Sequence, residues 1–483
     1  MSKTSIIWFR QDLRHSDNPA LNKAIENSDN VIALYILDEE SEGIRPLGGA
    51  SKWFLHQSLK SLQKNLKQEY GIELIFKKGK SISVLEDIAS ESKAQNIYWN
   101  RLYEPYHIKR DKQIKDKLKA KHNVESFNAS LLVEPWEIKN QTGGVYKVYT
   151  PFYKACLKEN NPRSTIKPPE KSSKKYDGNL NSFKLDDLNL IPTKPDWSKK
   201  FHRYWQVSES DAHNMLYDFL ENKVDKYGEM RNFPAQDYTS KLSPYLHFGL
   251  ISPNQIYFAS TYAKQKSSSQ TQKEIDKFIS EIYWREFSYN LIYNFPEIPD
   301  NNFKKEFDDF PWSEYIAENL EKWQNGQTGY PIVDAGMREL YETGWMHNRV
   351  RMIVGSFLTK HLLIHWKHGE EWFWDCLFDA DLANNVSGWQ WVSGCGADAA
   401  PYFRVFNPIT QGQKFDPEGN YVRKWVPEIS KLHKKHIQNP WEAPPEILSE
   451  LDINLGKTYP KPMIDHKYGR ERALKSYEKI KKN

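Results

Sequence analysis

The runs SIIWF at residues 5–9 and VIALYIL at residues 31–37 decide the fold of the first third of the chain. ELIFK at residues 73–77 and NIYW at residues 96–99 repeat this short, β-rich pattern. Amphipathic segments of helical length, such as residues 50–70, separate the runs. This alternation is typical of a parallel sheet covered by helices. We therefore predict an N-terminal α/β domain with a Rossmann-like parallel sheet.

The composition changes along the chain and predicts the domain organisation. Lys, Pro, Ser, Asn and Asp dominate around PRSTIKPPEKSSKKYDGN at residues 162–179, as in a linker. We predict an α/β domain over residues 1–135, an interdomain linker over 136–204 and a larger all-α domain over 205–475. Apolar residues recur at helical spacing in the last of these. The predicted helices cover residues 207–224, 272–293, 332–343, 349–367 and 370–382.

Composition also bounds the class of protein. A chain of 483 residues with 39% hydrophobic and 27% charged residues is typical of a soluble globular protein with two domains. Lys and Arg number 68 against 63 Asp and Glu, a surplus too small to indicate a polyanionic partner by itself. Cys156, Cys376 and Cys395 lack the spacing of a disulfide framework or a metal site. With no signal-peptide pattern and no apolar run of membrane-spanning length, we expect a cytoplasmic protein without a metal.

The segment GYPIVDAGMRELYETGWMHNRVRMIVGSF at residues 329–357 carries a first candidate site. Asn348 and Met352 are four residues apart and share one face of a helix, where an amide and a thioether can meet a flat ligand. The same pattern also fits a capping Asn and a core Met.

A second candidate lies in DADLANNVSGWQWVSGCGADAAPYFRVFNPITQGQKFD at residues 379–416. Trp389 and Trp391 differ by two positions, so on a helix one indole faces inward and the other can face a cleft. Beside Arg404 and Gln411, the pair suits stacking on a base with phosphate contacts nearby, although both indoles also fit ordinary packing.

Two shorter motifs contain polar residues of interest. EIYWREF at residues 281–287 places Glu281 and Trp284 on one helical face, and YTSKLSPYLHFG at residues 238–249 places hydroxyls at a helix start. A Glu in a polar pocket can hydrogen-bond a substrate carbonyl, and a helix start suits a phosphate. A surface Glu and an ordinary capped helix explain the same residues.

Six motifs together resemble the photolyase and cryptochrome family, in the family's order and over nearly the whole chain. They are WFRQDLRHSDNPAL, YTSKLSPYLHFG, EIYWREF, TGYPIVDAGMREL, GWMHNRVRM and DLANNVSGWQWVSGCGADAAPYFRVFNP. The resemblance implies an α/β domain followed by a helical domain that binds FAD in a folded form.

The resemblance also implies the residues that bind FAD. Arg351 would pair with Asp379, and Asn385 would lie beside flavin N5, where an amide favours a fully reduced, anionic flavin. Lys241 replaces the more usual Arg and keeps the charge without the bidentate fork. The implied set is Tyr227, Thr239, Ser240, Lys241, Leu242, Ser243, Arg351, Asp379, Asp381 and Asn385.

By the same resemblance, the reaction is repair of cyclobutane pyrimidine dimers in DNA by electron transfer from excited, reduced FAD to a flipped lesion. Trp284 and Trp391 would form the stacking wall, and Glu281 would hydrogen-bond the pyrimidine. A monomer would bind DNA that contains pyrimidine dimers through Arg231, Trp284, Arg285, Asn348, Arg349, Met352, Trp391, Arg404 and Gln411. Trp389, Trp366 and Trp312 would relay electrons to the flavin, with Trp372 or Trp374 as alternatives for the third position.

Alternatives of function and cofactor stay open. Relatives that repair the pyrimidine-pyrimidone lesion carry histidines at the positions of Asn348 and Met352, which argues against that chemistry. A cryptochrome-type blue-light receptor is the main alternative, and a light-independent DNA-binding protein is a weaker one. An antenna chromophore, methenyltetrahydrofolate or a deazaflavin or flavin, is expected in many relatives, but Tyr106 and His107 replace the Asn and Glu of the best-known folate pattern. PLGGASKWFLHQSL at residues 46–59 is a candidate wall for its pocket.

Overall fold

The computed structural model describes residues 2–159, 161–314, 316–399 and 403–481. The chain divides into two compact units. The sheet unit comprises residues 1–225 and 240–296, and the helical unit comprises residues 226–239 and 297–483. The domain boundaries expected from the sequence stay a prediction.

Parallel strands form the sheet of the sheet unit, in the order β3-β2-β1-β4-β5. All six residues of the central strand β1 are buried, because helices cover both faces of such a sheet. Ile6 of β1 pairs with Ile32 on one side and Ile97 on the other. The predicted Rossmann-like α/β fold is confirmed. The strands are β1 (Thr4–Phe9), β2 (Asn30–Leu37), β3 (Leu74–Lys78), β4 (Asn96–Asn100) and β5 (Asn123–Phe127).

Helices make up most of the remaining structure, as the sequence predicts. In the sheet unit they are α1 (Pro19–Glu26), α2 (Gly49–Tyr70), α3 (Ser81–Ser92), α4 (Pro105–Leu118), α5 (Tyr149–Glu159), α6 (Glu209–Asn222), α8 (Ser243–His247), α9 (Pro253–Gln265) and α10 (Ser269–Asn294). In the helical unit they are α7 (Tyr227–Met230), α11 (Ala317–Gln324), α12 (Pro331–Thr343), α13 (Asn348–Ser356), α14 (Trp366–Cys376), α15 (Leu382–Ser393), α16 (Pro408–Phe415), α17 (Asn420–Trp425), α18 (Pro445–Glu450) and α19 (His466–Lys481).

The predicted helix bounds 349–367 and 370–382 are wrong, because non-helical segments separate α13 from α14 and α14 from α15. After α13, a π-helical turn leads to Leu363, whose positive φ of 55° ends helical geometry. The side chains of His365 and Asp381 then cap the next two helices by accepting from backbone N–H groups of their first turns. These caps place Asp381 and the start of α15 at a fixed position in the loop.

The segment expected to be a linker lies along the sheet. The backbone N–H of Val31 donates to the carbonyl of Lys174 at 2.9 Å, and Phe183 forms an antiparallel bridge with Phe76 of β3. These contacts with β2 and β3 give the Lys- and Pro-rich stretch a defined path along that side of the sheet. Within the described ranges, no helix combines the length and the apolar composition needed to cross a membrane.

Candidate functional site

The motif at residues 240–243 forms a sharp turn in the sheet unit, directly before α8. Lys241 has a φ of 51°, a conformation that costs a non-glycine residue energy and is found at ligand-binding turns. Leu242 follows with φ −81° and ψ −8°, and Ser243 begins the helix. Successive backbone N–H groups in alternating left- and right-handed conformations form a concave donor surface for an anion. The turn therefore suits a phosphate group, and the Lys241 ammonium adds positive charge.

Tyr227 and Thr239, which the resemblance assigns to the same ligand, belong to the helical unit. Tyr227 is buried at the start of α7, and the guanidinium of Arg231 lies 5.1 Å from the centroid of its ring. Thr239 is half-buried.

A charged pair in the helical unit matches the predicted one. Nη2 of Arg351 donates to Oδ2 of Asp379 at 2.8 Å, and its Nε donates to the carbonyl of Met346 at 2.8 Å. The two contacts fix the guanidinium at the start of the loop before α15. A fixed cation and carboxylate next to each other suit a ring edge that both donates and accepts hydrogen bonds.

Asp381 and Asn385 lie one turn apart at the start of α15. Asp381 caps the helix, with Oδ1 accepting from the Asn384 backbone N–H at 2.9 Å. The Asn385 side-chain amide donates to Oε1 of Glu370 at 2.8 Å, so this buried carboxylate fixes the orientation of the amide. Glu370 has no sequence signal for this role, because it comes from α14 and no local motif links it to Asn385. In the helical unit, the guanidinium–carboxylate pair and the oriented amide fit the polar edge of a flavin ring. In the sheet unit, the turn at residues 240–243 fits a diphosphate.

The three tryptophans that the resemblance assigns to an electron relay lie in the helical unit. Trp389 is buried against Phe373, with ring centroids 4.9 Å apart. Trp366 is buried, and its Nε1 donates to Asn302 at 2.8 Å. The imidazole of His365 lies 5.4 Å from Trp366 and 5.0 Å from the half-buried Trp312. Trp312 and Trp366 thus both pack against the His365 imidazole, and the third position of the relay stays a prediction.

The prediction that Trp389 and Trp391 face different surroundings is confirmed. Trp389 is 3% exposed, whereas Trp391 is half-buried and its Nε1 donates to the carbonyl of Asp398 at 3.2 Å. Trp391 also lines a cavity of about 80 Å³ with Arg404, Lys304 and Lys360. An indole and several basic side chains thus share one cavity.

Arg349 is the centre of a positive cluster in the helical unit. Burial lowers the pKa of Arg349, and the nearby charges of Arg231 and Arg404 lower it further. Nη2 of Arg349 donates to Asn232 at 2.6 Å, and the guanidinium lies 4.5 Å from the ring centroid of Phe415. Like charges of this kind repel one another, an arrangement that a bound polyanion stabilises. Asn232 and Phe415 were not predicted, since both contact Arg349 from distant parts of the sequence.

The predicted DNA contacts on and near α13 lie beside this cluster. Asn348 is exposed at the start of the helix and Met352 is half-buried one turn later, where its Sδ accepts from Nη1 of Arg349 at 3.6 Å. Gln411 is half-buried on α16. An accessible amide and thioether on one helical face match the prediction for this motif.

In the sheet unit, α10 carries Glu281, Trp284 and Arg285. Oε1 of Glu281 lies 3.4 Å from Nζ of Lys277, and 25% of the Glu281 side chain is exposed. Trp284 is half-buried and stacks on Tyr149 with ring centroids 3.7 Å apart. Glu281 and Trp284 are thus both accessible on the same helix.

Arg285 points inward, unlike an exposed phosphate-binding arginine. Its Nη1 donates to the carbonyl of Ser130 at 2.7 Å, and its guanidinium lies 4.7 Å from the ring centroid of Tyr289. Only 11% of its side chain is exposed. These contacts tie α10 to the loop after β5.

The candidate antenna residues have internal partners. Nδ1 of His107 lies 2.8 Å from Oε2 of the buried Glu104, and the Tyr106 ring packs 4.4 Å from the imidazole. Burial lowers the pKa of His107, while Glu104 acts in the opposite direction. The identity of an antenna stays a prediction.

In the part of the chain that the structure describes, His, Cys, Asp and Glu form no group of three or more that could hold a metal ion.

Known proteins are similar to this chain over nearly its whole length. The family model described as DNA photolyase matches residues 5–172, and the one described as the FAD binding domain of DNA photolyase matches residues 278–479. The chain is 47% identical to the deoxyribodipyrimidine photo-lyase of Agrobacterium fabrum, over 99% of this chain and 98% of the relative. It is 36% identical to Cryptochrome-2 of Arabidopsis thaliana, over 100% of this chain and 80% of the relative. The crystal structure of a class III photolyase from Agrobacterium tumefaciens aligns with a TM-score of 0.95 at 46% identity, over 100% of this chain and 98% of that one.

Proposed function

Because the chain belongs to the DNA photolyase and cryptochrome family, we propose that it repairs cyclobutane pyrimidine dimers in DNA under light. It is an FAD-binding flavoprotein of the photo-lyase type. The observation that supports DNA as the substrate is the positive cluster of Arg349, Arg231 and Arg404, together with the cavity that Arg404 lines with Trp391. Such a cluster is stabilised by the phosphates of a nucleic acid and supplies affinity without reading sequence.

FAD, when bound in its reduced form and excited by light, supplies the electron that splits the dimer. The residues of the chain bind and orient it. In the sheet unit, backbone N–H groups from residues 240–243 would hold the diphosphate. In the helical unit, Arg351, Asp379 and Asn385 would hydrogen-bond the ring, with Glu370 fixing the amide.

The lesion contacts follow the same division. Trp284 and Trp391 would stack on the flipped bases, since both indoles are half-buried and therefore reachable. Glu281 would hydrogen-bond a pyrimidine carbonyl and stabilise charge that develops there. Asn348 and Met352 supply no proton at neutral pH, which suits ring splitting and not the acid-base chemistry that histidines at these positions would serve. Trp389, Trp366 and Trp312 would pass electrons to an oxidised flavin.

A blue-light receptor of the cryptochrome type is the second candidate. The observation that favours it is the 36% identity to a plant cryptochrome along the whole chain. The two functions differ in whether a lesion disappears, so one experiment separates them.

The test uses the purified holoprotein with its flavin reduced under blue light. Oligonucleotides with one thymine dimer or one pyrimidine-pyrimidone lesion are mixed with it, in light and in the dark. We expect absorbance to report loss of the cyclobutane dimer alone, and only in light. Photoreduction of the flavin with both lesions unchanged would contradict repair and support the receptor.

A matched pair of variants on α10 tests the lesion contact. Glu281→Ala should slow repair of bound dimers roughly tenfold, the effect of losing one hydrogen bond to a charged group. Asp276→Ala removes an exposed carboxylate from the same helix and should leave the repair rate unchanged. Equal rates for the two variants would rule out a role for Glu281.

A further inference from the structure

The aromatic ring beneath Trp284 comes from outside the motifs that the sequence analysis identified. The phenol ring of Tyr149 lies on the Trp284 indole with ring centroids 3.7 Å apart and planes inclined by 9°. Trp284 is nonetheless half-buried and not fully enclosed. Tyr149 therefore covers part of the indole and leaves the remainder accessible.

Tyr149 is itself held in place from several sides. Its hydroxyl donates to the carbonyl of Ser280 at 2.5 Å, so α5 is bonded to α10 one turn before Trp284. Tyr153 stacks on it from the next turn of α5, with centroids 5.6 Å apart and planes inclined by 8°. Phe287 packs edge-on against both rings, 6.0 Å from Tyr149 and 5.9 Å from Trp284. Tyr149 is only 8% exposed, so the phenol has little room to tilt.

The arrangement has a consequence for binding. A tryptophan at a binding surface has several rotamers, and fixing one of them costs free energy when a base stacks on it. A rigid ring behind the indole selects the rotamer before the ligand arrives. Tyr153, Tyr149 and Trp284 form a column in which the central ring is buried and Trp284, at one end, is half-buried.

We propose that Tyr149 is a positioning residue for lesion recognition: it stacks on Trp284 and preorganises the indole for the flipped base. This inference rests on the proposed function, because it takes Trp284 as a wall of the lesion pocket. It adds a residue on α5 to the recognition apparatus. Tyr149 does not touch the lesion and acts through Trp284 alone.

The binding test compares Tyr149→Leu and Tyr149→Phe in the full-length holoprotein. The measured quantity is the dissociation constant for duplex DNA with and without one thymine dimer. Tyr149→Leu should weaken binding of the dimer duplex roughly tenfold, as expected for a disordered stacking platform, and leave undamaged DNA unaffected. Tyr149→Phe keeps the ring and should stay within about threefold of wild type. Turnover of bound dimers at saturation should be unchanged in both variants.

Two controls separate positioning from loss of structure. Tyr153→Leu makes the same chemical change one turn further along α5, and its effect on dimer binding should be under threefold. In a Trp284→Phe background, Tyr149→Leu should have little further effect, because the indole it positions is gone. An undiminished tenfold effect in that background would overturn the proposal.

A spectroscopic measurement without DNA tests the same contact. Near-UV circular dichroism is recorded for proteins with and without Trp284, in the wild-type and Tyr149→Leu backgrounds. The Trp284 contribution to the spectrum should be large in the wild-type background and reduced in the Tyr149→Leu background, and an equal contribution in both would contradict the inference.

If wild type shows no preference for dimer DNA, the proposed function fails. If wild type prefers dimer DNA and Tyr149→Leu keeps that preference, only the role of Tyr149 fails.

Discussion

Glu286 lies two residues after Trp284, yet its carboxylate is buried against the loop that follows β5. It accepts hydrogen bonds from the backbone N–H groups of Leu132 at 2.8 Å and Val133 at 3.1 Å. Burial raises the pKa of Glu286 to about 7, although Arg285 and the two N–H groups favour the charged form. A carboxyl of this kind links the stability of the sheet unit to pH.

The sign of that dependence follows from the raised pKa. The folded protein binds the proton more tightly than the unfolded chain, where the pKa is about 4.5. The stabilisation is therefore complete below pH 4.5 and is lost as the pH rises through 7. The free energy of unfolding that is lost when Glu286 ionises is roughly 3 kcal/mol. For Glu286→Gln, the urea concentration at the midpoint of unfolding should change less between pH 5 and pH 8 than it does for wild type. For Asp276→Asn, it should change as much as it does for wild type.

Residues such as Glu286, whose partners are distant in the sequence, limit what can be predicted from sequence about single residues. Glu281, Trp284 and Trp391 belong to recognisable motifs, so the sequence indicates them. Tyr149 and Glu286 act through partners that lie more than a hundred positions away, at Trp284 and at the loop around Leu132. Such pairs follow from the packing of the folded chain and have no local pattern.

At the scale of elements, α15 depends on contacts at both ends. Asp381 caps its start, and the ammonium of Lys360 donates to the carbonyl of Ser393 at its end, at 2.6 Å. Burial lowers the pKa of Lys360 well below its usual range. Since α15 carries Asn385 and the two tryptophans Trp389 and Trp391, the contacts at its ends position three of the predicted site residues.

Lys360→Met keeps most of the side-chain volume and removes the donor. A buried carbonyl left without its hydrogen bond costs about 1–3 kcal/mol, so the variant should unfold several degrees below wild type and lose FAD more readily. Thermal unfolding and flavin absorbance measure both effects. Lys304→Met is the matched control, since its ammonium lies 3.4 Å from the neighbouring Gly394 carbonyl and is only part-buried. An equal loss of stability in both variants would contradict a specific role for Lys360.

Prediction of the elements from sequence succeeds where the apolar pattern is strong and fails where it is weak. The first four strands are apolar runs and were predicted, whereas β5 has the sequence NVESF with alternating polar residues and was missed. Helix α10 was predicted to within a few residues at each end. The breaks around α14 were not, because the apolar spacing continues through them and only the caps at His365 and Asp381 mark the boundaries.

At the scale of the whole molecule, the net charge of +5 hides an uneven distribution. Some surface charges form oppositely charged pairs, such as Lys434 with Glu418 and Lys322 with Glu318. In the helical unit, Arg231 and Arg404 lie close enough to Arg349 for their charges to lower its pKa. DNA affinity should therefore follow the charge of this cluster and not the net charge of the chain.

The salt dependence of DNA binding tests this distinction. Each phosphate contact contributes roughly 0.9 to the slope of the logarithm of the binding constant against the logarithm of salt concentration. Arg404→Gln should reduce the slope for undamaged duplex DNA by about that amount. Lys112→Gln removes one exposed charge from α4 and should leave the slope unchanged. Because Arg285 is bonded to the Ser130 carbonyl, Arg285→Gln should also leave it unchanged, and a reduced slope there would show that Arg285 turns outward to a phosphate when DNA binds.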